Sequence, residues 1–382
     1  MMSLKTFRVV LDRSRATYVG GETVAGKIIL GNAKEKSIKG MYLVANGEAR
    51  VRWTETDTDL DNNSCDNTYT NSENYFKFKF TILKATNDNT RVQIPAGYHE
   101  YPFEFQLPHN IPTSFEHIYG HIRYTVKAAI DRPWKFNHEC KIAFTVISNL
   151  DLNAYQDKCL GIDDEGRKNF YRCCCISTGS LNVRLKVPSS GYVPGESLVA
   201  TINYTNLSNS VAITGITTKL EQELKFHAIS AKTKHEYSEI SSVKYTGPFS
   251  NIGLISLDLR IPPIPPSNLE YCRIINLNYK LKVFVHVSGA HFKFVRSYPL
   301  LIGSIPLNYS PDKTNTESGT EKELSRNVPK PMSIGLRQRL PSSYEECVLG
   351  AENIKDHDES KYVLGADAPF SPRYPVFDYK ET

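Results

Sequence analysis

Apolar and polar residues alternate one by one wherever this 382-residue chain is regular. Phe76, Phe78, Phe80 and Ile82 alternate with Lys77, Lys79 and Thr81, and Ile122, Tyr124, Val126, Ala128 and Ile130 alternate with Arg123, Thr125 and Lys127. Leu181, Val183, Leu185 and Val187 repeat the pattern. In the longest run, Ile275, Leu277, Tyr279, Leu281, Val283, Val285 and Val287 are separated by Asn276, Asn278, Lys280 and Lys282. A period of two sends successive side chains to opposite faces, so each run predicts a strand with one buried and one wet face. Helical periodicity is confined to a short turn around Glu321 to Arg326. Thr54 to Asn74 is polar and rich in breakers, which predicts a long mobile loop between two strands.

The pattern occurs twice. Tyr18 to Leu30 reads YVGGETVAGKIIL, and Tyr192 to Tyr204, 174 residues later, reads YVPGESLVATINY. Leu107 to Ile130 is answered in the same order by Ile261 to Val285, each with prolines, an acidic residue and then an alternating run. Two echoes in register across one long offset imply a duplicated domain rather than a solenoid of short repeats. Many duplicated strands punctuated by turns such as Gly20-Gly21 and Pro194-Gly195 predict an all-β protein of two tandem antiparallel β-sandwiches. In the second turn Pro194 presets one dihedral and Gly195 accepts a positive one, which reads as a structural hairpin corner. The expected domains are residues 4–150 and 179–308, joined by a linker at 151–178 where the alternation lapses. A tail at 309–382 is expected to be disordered until something binds it.

Composition narrows the classes. Forty per cent of the residues are hydrophobic, no stretch approaches the ~20 apolar residues of a membrane-spanning helix, and the N-terminus lacks the apolar run of a signal peptide, so a cytoplasmic protein is expected. Eight cysteines are too sparse for a disulfide scaffold, and no structural disulfide is expected. The formal charge of +5 is uneven: the residues from Tyr309 onward hold 13 acidic and 10 basic side chains, leaving +8 on the body. A basic body leaves room for peripheral contact with an anionic membrane surface. Nothing in the chain points to nucleic acid as a partner.

Catalytic signatures are missing. The chain has no Gly-rich phosphate loop, no Gly-x-Ser-x-Gly elbow, no His-Glu-x-x-His and no pair of Cys-x-x-Cys units, so neither an enzyme nor a cofactor or metal site is expected. His99, ahead of an apolar strand, reads as a hydrogen-bonded structural histidine. Leu254 to Asp258 has the loose pattern of a clathrin-binding peptide but lies inside a predicted strand, and a strand in a sheet is not a free ligand. Cys173, Cys174 and Cys175 form one unusual cluster in the linker. Packing, acylation near a membrane and metal binding all remain open for it.

The tail carries the better signal. Peptides that bind WW domains use a polyproline turn with a tyrosine two residues after the second proline, the motif Pro-Pro-x-Tyr. Pro341-Ser342-Ser343-Tyr344 keeps the first proline and the tyrosine, and Ser371-Pro372-Arg373-Tyr374 keeps the second proline and the tyrosine. Pro341, Tyr344, Pro372 and Tyr374 are therefore the candidate binding residues, with Pro372 and Tyr374 the better pair. Two weak copies on one flexible segment can reinforce each other through a high effective concentration.

Several segments stand in a diagnostic order: Tyr18 to Gly26, Gly97 to Pro108, Pro112 to Glu116 with Arg123 and Tyr124, and Asp131 to Trp134, then in the second half Gly191 to Glu196, Tyr279 to Val287, and Pro299 to Pro306. With these segments, residues 4 to 308 resemble the arrestin-domain-containing proteins of the α-arrestin family. It implies a non-enzymatic adaptor whose sandwiches engage membrane receptors or transporters while Pro-Pro-x-Tyr tails recruit WW-domain HECT-class ubiquitin ligases. Cargo would then enter endocytosis and endosomal sorting, with the adaptor moving between cytoplasm, plasma membrane and endosomes. Both tail motifs depart from the family pattern by one residue, which leaves a ligase-independent transport scaffold, similar to the related retromer subunit, as the alternative.

Overall fold

The computed structural model describes residues 4–58, 64–85, 91–132, 137–172, 176–308, 340–356, 359–360 and 362–378. The first half contains β1 (Leu4–Leu11), β2 (Thr17–Val19), β3 (Thr23–Asn32), β4 (Lys36–Ile38), β5 (Gly40–Thr58), β6 (Ser64–Lys84), β7 (Val92–Ile94), β8 (Gly97–Gln106), β9 (Phe115–His117), β10 (Gly120–Asp131) and β11 (His138–Ile147). The second contains β12 (Ile162–Arg172), β13 (Ile176–Val187), β14 (Gly191–Tyr192), β15 (Ser197–Asn206), β16 (Ile213–His227), β17 (Thr233–Tyr245), β18 (Ile252–Arg260), β19 (Ile275–Val287) and β20 (Phe294–Ile302). Sheets ordered β1-β3-β8 and β2-β11-β10-β5-β6 make the first sandwich, and β12-β13-β15-β18 and β14-β20-β19-β16-β17 make the second. Apart from the extra edge strand β12 in the second half, and β9 beside β10 and the β4-β7 ribbon in the first, the two strand orders match element for element, so the duplication read from the sequence is a duplication of topology.

Hydrogen bonds repeat with it. Val19 N–H donates to the Glu22 carboxylate at 2.8 Å and Val193 N–H to the Glu196 carboxylate at 2.9 Å. Gly21 N–H reaches Pro108 O at 3.2 Å and Gly195 N–H reaches Ile261 O at 2.8 Å, with φ of +87° and +96° at the two glycines. The turn is not the hairpin corner that its residues suggest. The short strand before it lies parallel to β11 or β20 in one sheet, and the strand after it joins the other sheet. A left-handed glycine, and a carboxylate that accepts the N–H of the residue three before it, let the chain cross between layers. Each sandwich also buries one tyrosine whose hydroxyl closes a proline-rich loop, Tyr124 to Pro112 O at 2.6 Å and Tyr279 to Pro265 O at 2.9 Å.

Two expected irregular segments are regular. Residues 54–58 and 64–74 extend β5 and β6 as one long hairpin. Threonine favours the pleated conformation, and cross-strand pairs hold the polar end: Thr54 with Thr68, Thr56 with Asp66, and Asn67 with Asp57. Trp53 stacks on Tyr69 with centroids 5.5 Å apart. In the expected linker, Leu152–Lys158 is a 3-10 helix capped by Asp151, and Ile162–Arg172 pairs with β13 as an edge strand. The alternation is faint there because an edge strand carrying charges on both faces hides its period. The Leu254 to Asp258 segment lies in β18, hydrogen-bonded to β15, and His99 is held by the Pro95 carbonyl at 2.8 Å.

The hairpin extension makes much of the seam between the sandwiches. Ile229 N–H donates to Thr70 O, Asn71 Nδ2 to His227 O, and Arg273 Nε to Glu73, at 3.1, 3.0 and 2.8 Å. His117 stacks on Phe226 at 5.1 Å and Tyr119 meets the same ring edge-on. Beyond the hairpin, Ser304 Oγ accepts from Leu150 N–H at 2.9 Å. Buried apolar residues of both halves form one connected cluster.

Replacing Tyr279 by phenylalanine leaves the Pro265 carbonyl without its buried donor, and is expected to lower unfolding stability by about 1–3 kcal/mol in denaturant titration. Burial in the seam lowers the His117 pKa to about 4. The folded chain therefore binds fewer protons than the unfolded chain between that value and the ordinary histidine range, so this stability is complete above about pH 6.5 and drains away as pH falls towards about 4. Melting temperature is expected to drop between about pH 7.5 and about pH 5, and to drop less in His117→Phe. An equal drop in both proteins would show that the seam is not the source.

Candidate partner-binding site in the C-terminal segment

The described part of the tail is folded. Strands β21 (Ser343–Glu346), β22 (Glu352–Asn353), β23 (Val363–Leu364), β24 (Pro369–Phe370) and β25 (Arg373–Val376) form two small ribbons, β21 with β25 and β22 with β24, while β23 lies parallel to β11. This corrects the expectation of disorder for these residues. Residues 309–339, including the expected turn at 321–326, lie outside the described residues, as do Cys173, Cys174 and Cys175. The apolar residues that seat the segment, Ile354, Val363, Ala366, Tyr374, Val376 and Phe377, are buried but too widely spaced to show a period. They fill gaps on an existing surface, which calls for shape rather than repetition.

Tyr374 is the anchor. Its side chain is 1 % exposed, and its hydroxyl donates to Ser114 O at 2.9 Å. Burial first, with Cys347, Tyr279 and Glu116 nearby, holds the phenol well above its ordinary pKa, so it remains a neutral donor. From this point the strand crosses the seam. Arg373 N–H donates to Thr145 Oγ1 of the first sandwich at 3.1 Å, and Phe377 N–H to Pro194 O of the second at 2.9 Å. A Cβ on Gly195 would stand 2.4 Å from the Phe377 carbonyl oxygen, so the glycine of the second crossing turn is needed by the tail as well as by its own φ.

The segment also brings acid to a basic face. Lys141 on β11 is 3 % exposed and is met by Asp356 at 2.6 Å, Glu359 at 3.1 Å and the Ile354 carbonyl at 2.9 Å. Glu359 also reaches Lys127 at 3.4 Å. Arg123 and Thr125, expected to face water on β10, are buried. Arg123 makes a two-bonded pair with Glu116 at 2.8 and 2.6 Å. The outer face of this sheet therefore has a cover, which the alternation of one strand does not reveal.

Of the expected WW-binding residues, Pro341 and Tyr344 are half-buried, and Pro372 and Tyr374 are buried. Tyr344 stands opposite Pro375, and Glu345 opposite Tyr374, so the two motifs lie side by side on one ribbon. Sequence reasoning missed Ser114, Thr145, Lys141, Asp356 and Glu359. The 13 acidic residues of the tail against the basic body were the only signal for the last three.

The arrangement is thus a duplicated sandwich body with a C-terminal strand anchored across its seam. The family model for the arrestin (or S-antigen) N-terminal domain matches residues 7–153, and that for the C-terminal domain matches residues 177–307. The chain belongs to the α-arrestin family. This α-arrestin is 26% identical to arrestin domain-containing protein 17 of Caenorhabditis elegans, over 99% of the chain and 100% of the relative. It is 29% identical to mouse arrestin domain-containing protein 4, over 77% of the chain and 70% of the relative, and 27% identical to human thioredoxin-interacting protein, over 84% and 80%. As an arrestin-type protein it is an adaptor, in a family that is generally non-enzymatic. No helix among the described residues is long and apolar enough to cross a membrane.

Truncating the Tyr374 anchor removes a buried ring and leaves the Ser114 carbonyl unpaired. Tyr374→Ala is expected to cost about 3 kcal/mol in the docking of residues 340–378 and to speed their limited proteolysis by more than tenfold. Tyr344→Ala, at a half-buried position, is expected to change that rate far less.

Proposed function

We propose that this α-arrestin is a trafficking adaptor that holds a membrane receptor or transporter on its sandwiches and recruits a WW-domain HECT-class ubiquitin ligase through its tail, sending the cargo into endocytosis and endosomal sorting. The observation that carries the reading is the placement of the two degenerate motifs, Pro341 to Tyr344 and Pro372 to Tyr374, on the two strands of one ribbon. A WW groove takes a polyproline turn with its tyrosine free. Neither strand meets that need while Tyr374 is buried against Ser114, so recruitment follows detachment of the ribbon, which frees both motifs together. The apparent affinity of the intact protein is then reduced by the fraction of molecules in which the ribbon is released.

Burial of Tyr374 equally favours a second reading, in which the strand is a permanent part of the body and the protein works as a ligase-independent transport scaffold. The two are separated by titrating ligase WW domains against the 330–382 peptide and against the full chain, with Tyr344→Ala and Tyr374→Ala in each. Micromolar binding of the peptide, weaker by tenfold or more in the full chain and abolished by the double substitution, is the expected result. Failure of the peptide to bind any WW domain transfers the function to the scaffold reading.

A further inference from the structure

Three side chains from separate parts of the chain converge beneath the tail with no role in the adaptor reading. Arg50 of β5 stands opposite His121 of β10 and Glu48 opposite Arg123, so Glu48 and His121 are diagonal neighbours on one face of the sheet. Asp356 of the tail lies over them. One nitrogen of His121 and one carboxylate oxygen each of Glu48 and Asp356 lie within 4.8 Å of one another. The His121 Nε2 is sealed from solvent and has no hydrogen-bond partner, which is costly for a buried polar atom and calls for a ligand.

We infer that Glu48, His121 and Asp356 form a zinc site that pins the C-terminal segment to the first sandwich. An imidazole nitrogen with two carboxylate oxygens suits zinc better than calcium or magnesium, which prefer oxygen alone. Three protein ligands leave the fourth tetrahedral position for water. Zinc–ligand bonds of about 2.0–2.2 Å set their ligand atoms closer together than that 4.8 Å limit, so binding turns the Glu48 and Asp356 carboxylates towards His121 and away from Arg50 and Lys141. A cavity of about 470 Å³ lined by Arg50, His121, Lys355 and Asp356 gives the ion access.

The surrounding charges allow it. Glu48 is held by Arg50 at 2.9 and 3.0 Å, and each of its oxygens keeps a second lone pair. Asp356 is held by Lys141, which retains Glu359 and the Ile354 carbonyl if the aspartate turns to the metal. Lys127 adds a positive charge and Glu139 a negative one at 3.6 Å.

The test uses the full chain, stripped with a chelator and titrated with zinc chloride, alongside His121→Gln, Asp356→Asn and a triple Cys173→Ser, Cys174→Ser, Cys175→Ser variant. The expected result is one zinc per chain, with affinity lowered at least tenfold in either of the first two variants and unchanged in the triple variant. Zinc is also expected to slow proteolysis within residues 340–378 in the parent and not in Asp356→Asn. Cobalt in place of zinc should show no thiolate charge-transfer band, a readout of the ligands that is independent of any substitution. No stoichiometric zinc, binding lost only with the cysteines, or a thiolate band in the cobalt protein would each overturn the assignment.

Discussion

A tyrosine hydroxyl taken out of water is costly to leave without an acceptor, and in this α-arrestin three of them take loop carbonyls that define the architecture. Tyr124 and Tyr279 close the proline-rich loops ahead of the long strands in their own sandwiches, on Pro112 and Pro265. Tyr374 arrives from far along the chain and takes the Ser114 carbonyl, two residues beyond the loop that Tyr124 closes. All three rings are fully buried, so each hydroxyl is both an apolar packing element and a directional restraint. Leaving one unpaired inside the core costs more than the bond contributes when made, and that asymmetry fixes the loops.

The loop positions set the tail, and the tail changes the surface that partners meet. With Tyr374 seated, Asp356 and Glu359 are delivered to Lys141 and Lys127, and a basic sheet face becomes a set of half-buried or buried ion pairs. Buried pairs of this kind gain little net stability over apolar packing, but breaking them leaves Lys141 uncompensated. The segment therefore holds as a unit, through one ring, a few main-chain bonds and matched charge. Any function that needs the tail free competes with all three.

Much of the fold could be read from residues alone, and the reasons are local. The run from Ile275 to Val287 shows its buried face in every second residue, and β19 buries each of those up to Val285. The Tyr-Val-x-Gly-Glu turns declared the duplication because the same glycine and glutamate solve the same backbone problem twice. Thr54 to Asn74 misled because polar residues on both faces of a hairpin imitate a loop until the Thr54–Thr68 and Asn67–Asp57 pairs are seen. Arg123 and Thr125 misled in the opposite sense: they alternate as wet residues do, yet the described tail and Glu116 remove them from water.

By itself the sequence determined the all-β class, the two copies and the repeated Gly-Glu turns, since each depends on neighbours within a few residues or on period two. Only the tertiary structure decided which way the crossing turns lead, that the tail returns, that Tyr374 lies against Ser114, and that Glu48, His121 and Asp356 share one site. Those facts depend on contacts between residues far apart in the chain, Glu48 and Asp356 being 308 positions apart, and such contacts are chosen by shape and charge across the finished surface, which leaves no periodic trace in the chain.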